Sequence, residues 1–242
     1  MQTIIIAGGK GTRIKHLYPD IPKPMIPIAD MPVLEHQIKL LKSYDITDIM
    51  ISINHLGHII EDYFGNGHRF GVNITYLQEP DFLGTAGFIK EHEEMFDQEF
   101  LVLYGDMLID VDLTNFIKFH HQKNGLGAIV GQKNNHLLDC DLFEIDKKMR
   151  ITNLISKPHN IEHSDSHIAN LAVYVMKREI VKYIPAGQFS DFAQDVFKKI
   201  IAEGNDLLYA YDTDEYLLDI GTPEKLKKAH REINQSYFPS YL

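Results

Sequence analysis

The sequence predicts an α/β protein: a mixed, mostly parallel sheet flanked by helices, with a small antiparallel excursion in its second half. Three observations predict it. Apolar runs of strand length alternate with helix-period patterns over roughly the first 132 residues, as in a parallel sheet with crossover helices. From about Leu142, strand-like runs follow one another with only turns between them. No fixed-period repeat, Pro-rich linker or low-complexity tract divides the 242 residues, so one domain over 1–242 is expected.

The first strand is expected at Thr3 to Ala7, a near-continuous apolar run of the kind a sheet covered on both faces needs. Leu34, Ile38 and Leu41 recur at helical spacing, which sets a helix over Val33 to Tyr44. Ile49 to Ile53 then reads as a strand, Gly57 to Phe64 as a helix and Asn73 to Leu77 as a strand. The alternation continues with a helix from about Thr85 to Met95, a strand Phe100 to Tyr104, a helix Leu113 to Lys123 and a strand Gly127 to Gln132. Phe143 to Ile145, Ile151 to Ile155 and Ile168 to Met176 are too close together for crossover helices and form the antiparallel excursion. Helices near Phe192 to Glu203 and Pro223 to Asn234 close the chain, separated by strand-like Leu207 to Tyr211 and Tyr216 to Ile220.

Composition narrows the function. Hydrophobic residues at 44% and charged residues at 24% are those of an ordinary folded globule. Twenty-four Lys+Arg against 34 Asp+Glu give −10, which argues against nucleic acid or an anionic membrane as the main partner. No apolar run approaches the roughly 20 residues of a membrane-spanning helix. The single Cys140 cannot form an intramolecular disulfide, and the N-terminal residues show no basic region followed by a long apolar one, so the cytoplasm is the expected location.

The first strand runs into Gly8-Gly9-Lys10-Gly11-Thr12-Arg13, where glycines let backbone N–H groups approach an oxyanion that side chains would block. The pattern is neither the Walker motif nor the dinucleotide fingerprint, and alone it fits a tight turn as well as a phosphate cradle. Beyond it, Pro22-Lys23-Pro24-Met25-Ile26-Pro27-Ile28 holds one lysine between two prolines that fix φ. This stiffened lysine reads as a cation facing the same polyphosphate as Arg13.

Together these segments resemble the sugar-1-phosphate nucleotidylyltransferases, the family of GDP-mannose pyrophosphorylases, heptose-1-phosphate guanylyltransferases and glucose-1-phosphate thymidylyl- and uridylyltransferases. Three further stretches extend the resemblance along essentially the whole chain. Leu83-Gly84-Thr85-Ala86-Gly87 is similar to the family's base-recognition loop, Gly105-Asp106 to its metal-binding motif and Asp219-Ile220-Gly221-Thr222-Pro223 to its C-terminal Asp motif. The resemblance implies a Rossmann-like fold of the nucleotide-diphospho-sugar transferase type, with 1–132 mainly binding nucleotide and 133–242 mainly binding sugar phosphate as a lid. It implies Mg²⁺-assisted in-line attack of a sugar 1-phosphate oxygen on the α-phosphate of a nucleoside triphosphate, releasing pyrophosphate. Arg13 would stabilise the leaving pyrophosphate and Lys23 the α-phosphate, while the amides of Gly8, Gly9, Gly11 and Thr12 cradle the triphosphate. Asp106 and Asp219, each ending a strand-like run, would hold the Mg²⁺, which favours one or two carboxylates with phosphate oxygens and water.

The nucleotide rests on Gln78 and Glu79 ahead of Gly84 and Thr85. A carboxylate accepts only, so Glu79 suits the adjacent N1–H and N2–H₂ of guanine, whereas reading by Gln78 would suit a pyrimidine. GTP with a mannose- or heptose-type 1-phosphate is the expectation; CTP, UTP or dTTP, and a catalytically silent nucleotide-sugar-binding subunit, are the alternatives. Lys157 and Asn170 are the implied sugar-phosphate and sugar contacts. Ser156 stands where the family has glutamate and Ala172 where it has glycine.

Other patterns read as structural. The thirteen histidines show no zinc-like spacing, including His159, His163 and His167, and His120 and His121 are expected to face the terminal carbonyls of their helix. Cys140 has no activating cation in the sequence around it. Lys225, Lys227 and Lys228 read as a solvated helix face. Tyr237, Phe238 and Tyr241 give an apolar ending that would dock on the body or on a second copy in a homodimer, and no left-handed β-helix is expected after it.

Overall fold

The computed structural model describes residues 1–9, 11–79, 82–133, 138, 140–161 and 166–235. Lys10, His163, Tyr237, Phe238 and Tyr241, named above, lie outside the described residues.

In chain order the first elements are β1 (Gln2–Ile6), β2 (Pro27–Ile28), β3 (Met31–Pro32), α1 (Val33–Ser43), β4 (Asp48–Ile53), α2 (Gly57–Phe64) and β5 (Asn73–Gln78). Next come α3 (Gly84–Glu91), β6 (Glu99–Tyr104), β7 (Met107–Asp110), α4 (Leu113–Lys123), β8 (Gly127–Gln132), β9 (Leu142–Ile145), β10 (Ile151–Ile155) and β11 (His167–Lys177). A π-helical segment Phe192–Phe197, α5 (Lys198–Glu203), β12 (Leu208–Asp212), β13 (Tyr216–Asp219) and α6 (Pro223–Gln235) complete the chain. Two compact units interleave along it: Met1–Phe82 with Leu103–Asp112 and Glu215–Leu242, and Leu83–Val102 with Leu113–Asp214.

In the first unit β1 pairs parallel with β4, and β4 parallel with β5, in the registers Thr3↔Ile49 and Asp48↔Asn73. Ile4, Ile5, Ile49, Ile51 and Ile53 are all buried, as strands covered on both faces require. A second, antiparallel ladder joins β7 to β13 with Asp219 opposite Met107. Its apolar residues Leu108, Leu218 and Ile220 pack in one cluster with Leu226, Ala229 and Ile233 of α6, whose i, i+3, i+7 spacing gives one apolar stripe.

In the second unit β8, buried along its whole length, pairs parallel with β12 and antiparallel with β11; β9 pairs antiparallel with β11 and β10. Tyr174, Phe192 and Phe197 pack there with ring centroids 5.2–5.6 Å apart. This is the mixed, helix-flanked sheet expected from the sequence, including the antiparallel excursion. The short strand β7 was not anticipated: Met107–Asp110 follows so closely on β6 that sequence periodicity merges the two. No helix of the described residues is long and apolar enough to cross a membrane.

Candidate active site

The site is built on the first unit, at the end of β1. Gly8 is buried, and a Cβ there would lie 2.7 Å from Glu79 Oε1, so a side chain at this position would expel the carboxylate. Gly9 is exposed with open space around its Cα, and Gly11 adopts φ +58, a left-handed conformation natural to glycine. Thr12 and Arg13 are exposed, while the next residue, Ile14, is buried and pins the loop to the core. Lys23 opens a 3₁₀ turn (Lys23–Met25) closed by Met25 N–H donating to Pro22 O at 2.8 Å. The flanking prolines thus hold the lysine in a defined turn. A pocket lined by Gly9, Gly11, Lys15, Lys23 and His55 opens beside this loop.

Asp106 occupies the tight turn between β6 and β7. Gln37 fixes that turn: its buried amide donates to Tyr104 O at 2.8 Å and to Met107 O at 2.7 Å. Gly105 N–H donates to Ile6 O at 2.9 Å, which ties the turn to the end of β1. The ladder between β7 and β13 extends one residue past Asp219, where Ile220 N–H donates to Asp106 O at 3.0 Å. The two carboxylates predicted from distant motifs therefore sit at one end of one ladder. Lys23 Nζ pairs with Asp106 Oδ2. Asp219 Oδ1 accepts from Gly221 N–H at 2.9 Å, and its Oδ2 accepts from Lys225 Nζ at 2.5 Å.

Gly221 shows how closely the charges converge. A Cβ on it would lie 2.7 Å from Asp219 Oδ1 and 2.9 Å from both Arg13 Nη2 and Lys23 Nζ. Burial pushes the Asp219 carboxyl up, but the Lys225 and Gly221 hydrogen bonds and the nearby Lys23 outweigh it and hold the group below the ordinary carboxylate range. Cations and carboxylates alternating around one glycine suit a ligand that carries both signs, such as a polyphosphate with a divalent cation. No group of three or more His, Cys, Asp or Glu among the described residues converges as a metal cage. Asp106 and Asp219 supply hard oxygens, so a cation held there would complete its shell from substrate oxygens and water, which fits Mg²⁺.

Glu79 follows β5 and is buried at 4% exposure, with its amide bonded to Ile53 O and its carbonyl to Asn54 Nδ2. Gln78, the other candidate base reader, is exposed on the alternate side of the strand.

The remaining predicted residues belong to the second unit. Gly84 starts α3 at φ +80, and a Cβ there would meet Ser190 O at 2.5 Å. Thr85 commits its hydroxyl within the unit, donating to Asp191 Oδ2 and accepting from Phe192 N–H, each at 2.9 Å. Lys157 is exposed, and its amide donates to Asp141 Oδ1 at 3.0 Å. Ser156, which replaces the family's glutamate, donates to Gln194 Oε1 at 2.6 Å; Gln194 in turn donates to Asp141 Oδ2. Asn170 lies on β11 beside an irregularity in its pairing, and its Oδ1 accepts from Ala172 N–H. Ala172 itself has φ +56, the conformation for which the family's glycine is suited.

Two expectations are corrected. Lys225 does not share the solvated face of Lys227: its side chain is only 17% exposed, because the first turn of α6 points it back at Asp219. His120 and His121 turn to Glu99, at 3.4 and 2.8 Å, instead of the terminal carbonyls of α4. Two residues of the site escaped the sequence reading. Gln37 gives no signal inside a helix, whereas Lys225, six residues after Asp219 at a helix start, was within reach of a spacing argument.

The model of the nucleotidyl transferase family matches residues 2–236. The chain is 37% identical over 235 residues to a UTP–glucose-1-phosphate uridylyltransferase from Synechocystis sp., covering 91% of this chain but only 60% of that protein's length. It is 31% identical over 230 residues to the D-glycero-α-D-manno-heptose 1-phosphate guanylyltransferase of Campylobacter jejuni, covering 93% of this chain and 96% of that protein. Among solved structures, HddC from Yersinia pseudotuberculosis complexed with GMP-PN superposes with a TM-score of 0.80 at 25% identity, over 96% of this chain and 99% of that one. The motif order, the charges gathered around Gly221 and these likenesses agree: the chain belongs to the nucleotidyl transferase family, whose sugar-1-phosphate nucleotidylyltransferases its five motifs resemble.

Proposed function

We propose that the chain transfers a nucleotidyl group from a nucleoside triphosphate to a sugar 1-phosphate, releasing pyrophosphate. The observation that carries this reading is the meeting of Arg13, Lys23 and Asp219 at Gly221, with Asp106 paired to Lys23. In this reading the amides of Gly8, Gly9, Gly11 and Thr12 and the Arg13 guanidinium bind the phosphates that leave, and Lys23 neutralises the α-phosphate as the sugar phosphate oxygen attacks it in line. One P–O bond forms as the bond to pyrophosphate breaks, with no covalent enzyme intermediate. Mg²⁺, held by Asp106 and Asp219, would supply charge neutralisation at the reacting phosphates. Lys157 and Asn170 are the proposed contacts to the sugar phosphate and sugar. The working form is proposed to be a cytoplasmic homodimer, which light scattering at micromolar concentration would contradict by returning the 27.8 kDa monomer mass.

The proposed nucleotide is GTP. A buried carboxylate at Glu79, beside Gly8 at the sheet edge, offers the acceptors that guanine N1–H and N2–H₂ require, and exposed Gln78 is the weaker reader. The guanylyltransferase likeness, which spans nearly the whole of both chains, points the same way and suggests a heptose- or mannose-type sugar. The likeness to a uridylyltransferase favours a second reading, UTP with glucose 1-phosphate. Thermal unfolding with GTP, UTP, CTP, dTTP and ATP, each with Mg²⁺, separates them. Saturating ligand at about 100 times its Kd adds roughly 2.7 kcal/mol, or on the order of 5 °C for a chain of this size. A shift with GTP alone supports the first reading, a shift with UTP alone the second, and no shift with any triphosphate would sink both.

A further inference from the structure

The ion pair between Lys225 and Asp219 takes no part in the chemistry proposed above. Lys225 lies in the first turn of α6, where its amide donates to Thr222 Oγ1 at 3.3 Å. A cation is disfavoured at that end of a helix by the backbone dipole, so solvation alone does not account for a lysine held there. Its place is fixed from beside it: Leu226, Ala229 and Ile233 bury the adjacent stripe of the helix, so Lys225 stands at the edge of the packed face. The ammonium is thereby delivered to Asp219 Oδ2 at 2.5 Å, with the two side chains 17% and 28% exposed. Asp219 Oδ1 accepts from Gly221 N–H, and a metal that binds Oδ2 would compete directly with the lysine.

We propose that Lys225 is a positioning residue that acts as an internal stand-in cation, occupying Asp219 until a divalent cation displaces it. The inference rests on the reading of Asp219 as a metal ligand. Lys225 then keeps the carboxylate aimed and lowers its affinity for a bare divalent cation. A cation that arrives on a triphosphate brings phosphate oxygens as extra ligands and overcomes this competition, so metal and nucleotide enter together.

The test is Mn²⁺ binding to the whole, nucleotide-free chain, read from the electron paramagnetic resonance signal of unbound Mn²⁺. Lys225→Met is expected to bind Mn²⁺ about three- to tenfold more tightly than wild type, the range of a close, partly screened ion pair. Lys225→Arg, which keeps the charge, is expected to bind as wild type does, and Asp219→Asn to lose the site. Lys225→Gln provides a second neutral variant should the Met variant fold poorly. Unchanged or weaker Mn²⁺ binding in the neutral variants, with loss in Asp219→Asn, would overturn the role of Lys225 alone. Mn²⁺ binding unaffected by Asp219→Asn would overturn the metal reading on which it rests.

Discussion

Ile220 donates its amide to the carbonyl of Asp106 at 3.0 Å, and this bond closes the β7–β13 ladder at the end that carries two carboxylates separated by more than a hundred residues. Each carboxylate also has a lysine, Lys23 for Asp106 and Lys225 for Asp219. Removing either carboxylate should therefore damage catalysis more than folding. Asp106→Asn and Asp219→Asn are expected to lower the rate of pyrophosphate release at least about 100-fold, the cost of losing a charge-stabilising group at a reacting centre. Steady-state kinetics beside a thermal melt checks this, and a variant that retains wild-type turnover would remove its carboxylate from the site.

Gln37 spans the turn that carries Asp106 through two hydrogen bonds from a fully buried amide. Gln37→Leu keeps the volume but removes the amide that donates to the carbonyls of Tyr104 and Met107. The expected cost is about 1–3 kcal/mol in urea unfolding. A lower kcat should accompany it, because Asp106 loses its fixed turn. A loss of stability with unchanged kcat would show that Gln37 serves the fold alone.

Ala172 pays for a left-handed backbone without glycine's freedom. Ala172→Gly should stabilise the chain by about 0.5–1 kcal/mol, since relief of the strained φ outweighs the added flexibility of the unfolded state. Chemical denaturation measures this, and a destabilised variant would show that packing of the Ala172 methyl dominates.

His120 is buried at 1% exposure, and burial holds its imidazole below the ordinary value despite Glu99, which pulls it upward. The unfolded chain thus takes up this proton near pH 6.5, before the folded chain does. Its contribution to stability is complete above that pH and is lost as the pH falls through the lower folded value. His36, also buried and lowered chiefly by burial, acts in the same direction. Unfolding free energies at pH 7.5, 6.5 and 5.5 should fall with acid in the wild type and fall less steeply in His120→Gln; parallel profiles would contradict this.

Much of the fold was legible because parallel strands such as β1 and β4 are unbroken apolar runs, and α6 carries its apolar stripe at helical spacing. The site residues were legible where chemistry needs unusual sequence: glycines after a strand, or a lysine between prolines. What stayed hidden depends on tertiary pairing. β7 is a strand only because β13 is its partner, and Gln37 and Lys225 acquire meaning only from the backbone or carboxylate opposite them. Likewise, nothing local in the sequence turns His120 and His121 of α4 toward Glu99 on strand β6.

The most direct measurement is pyrophosphate release from a matrix of GTP, UTP, CTP and dTTP against mannose, heptose and glucose 1-phosphates, run with wild type and with Asp106→Asn. Turnover is expected with GTP and a mannose- or heptose-type 1-phosphate, dependent on Mg²⁺ and lost in the variant. Pyrophosphate release from no pair in the matrix, or release that survives Asp106→Asn unchanged, would contradict it.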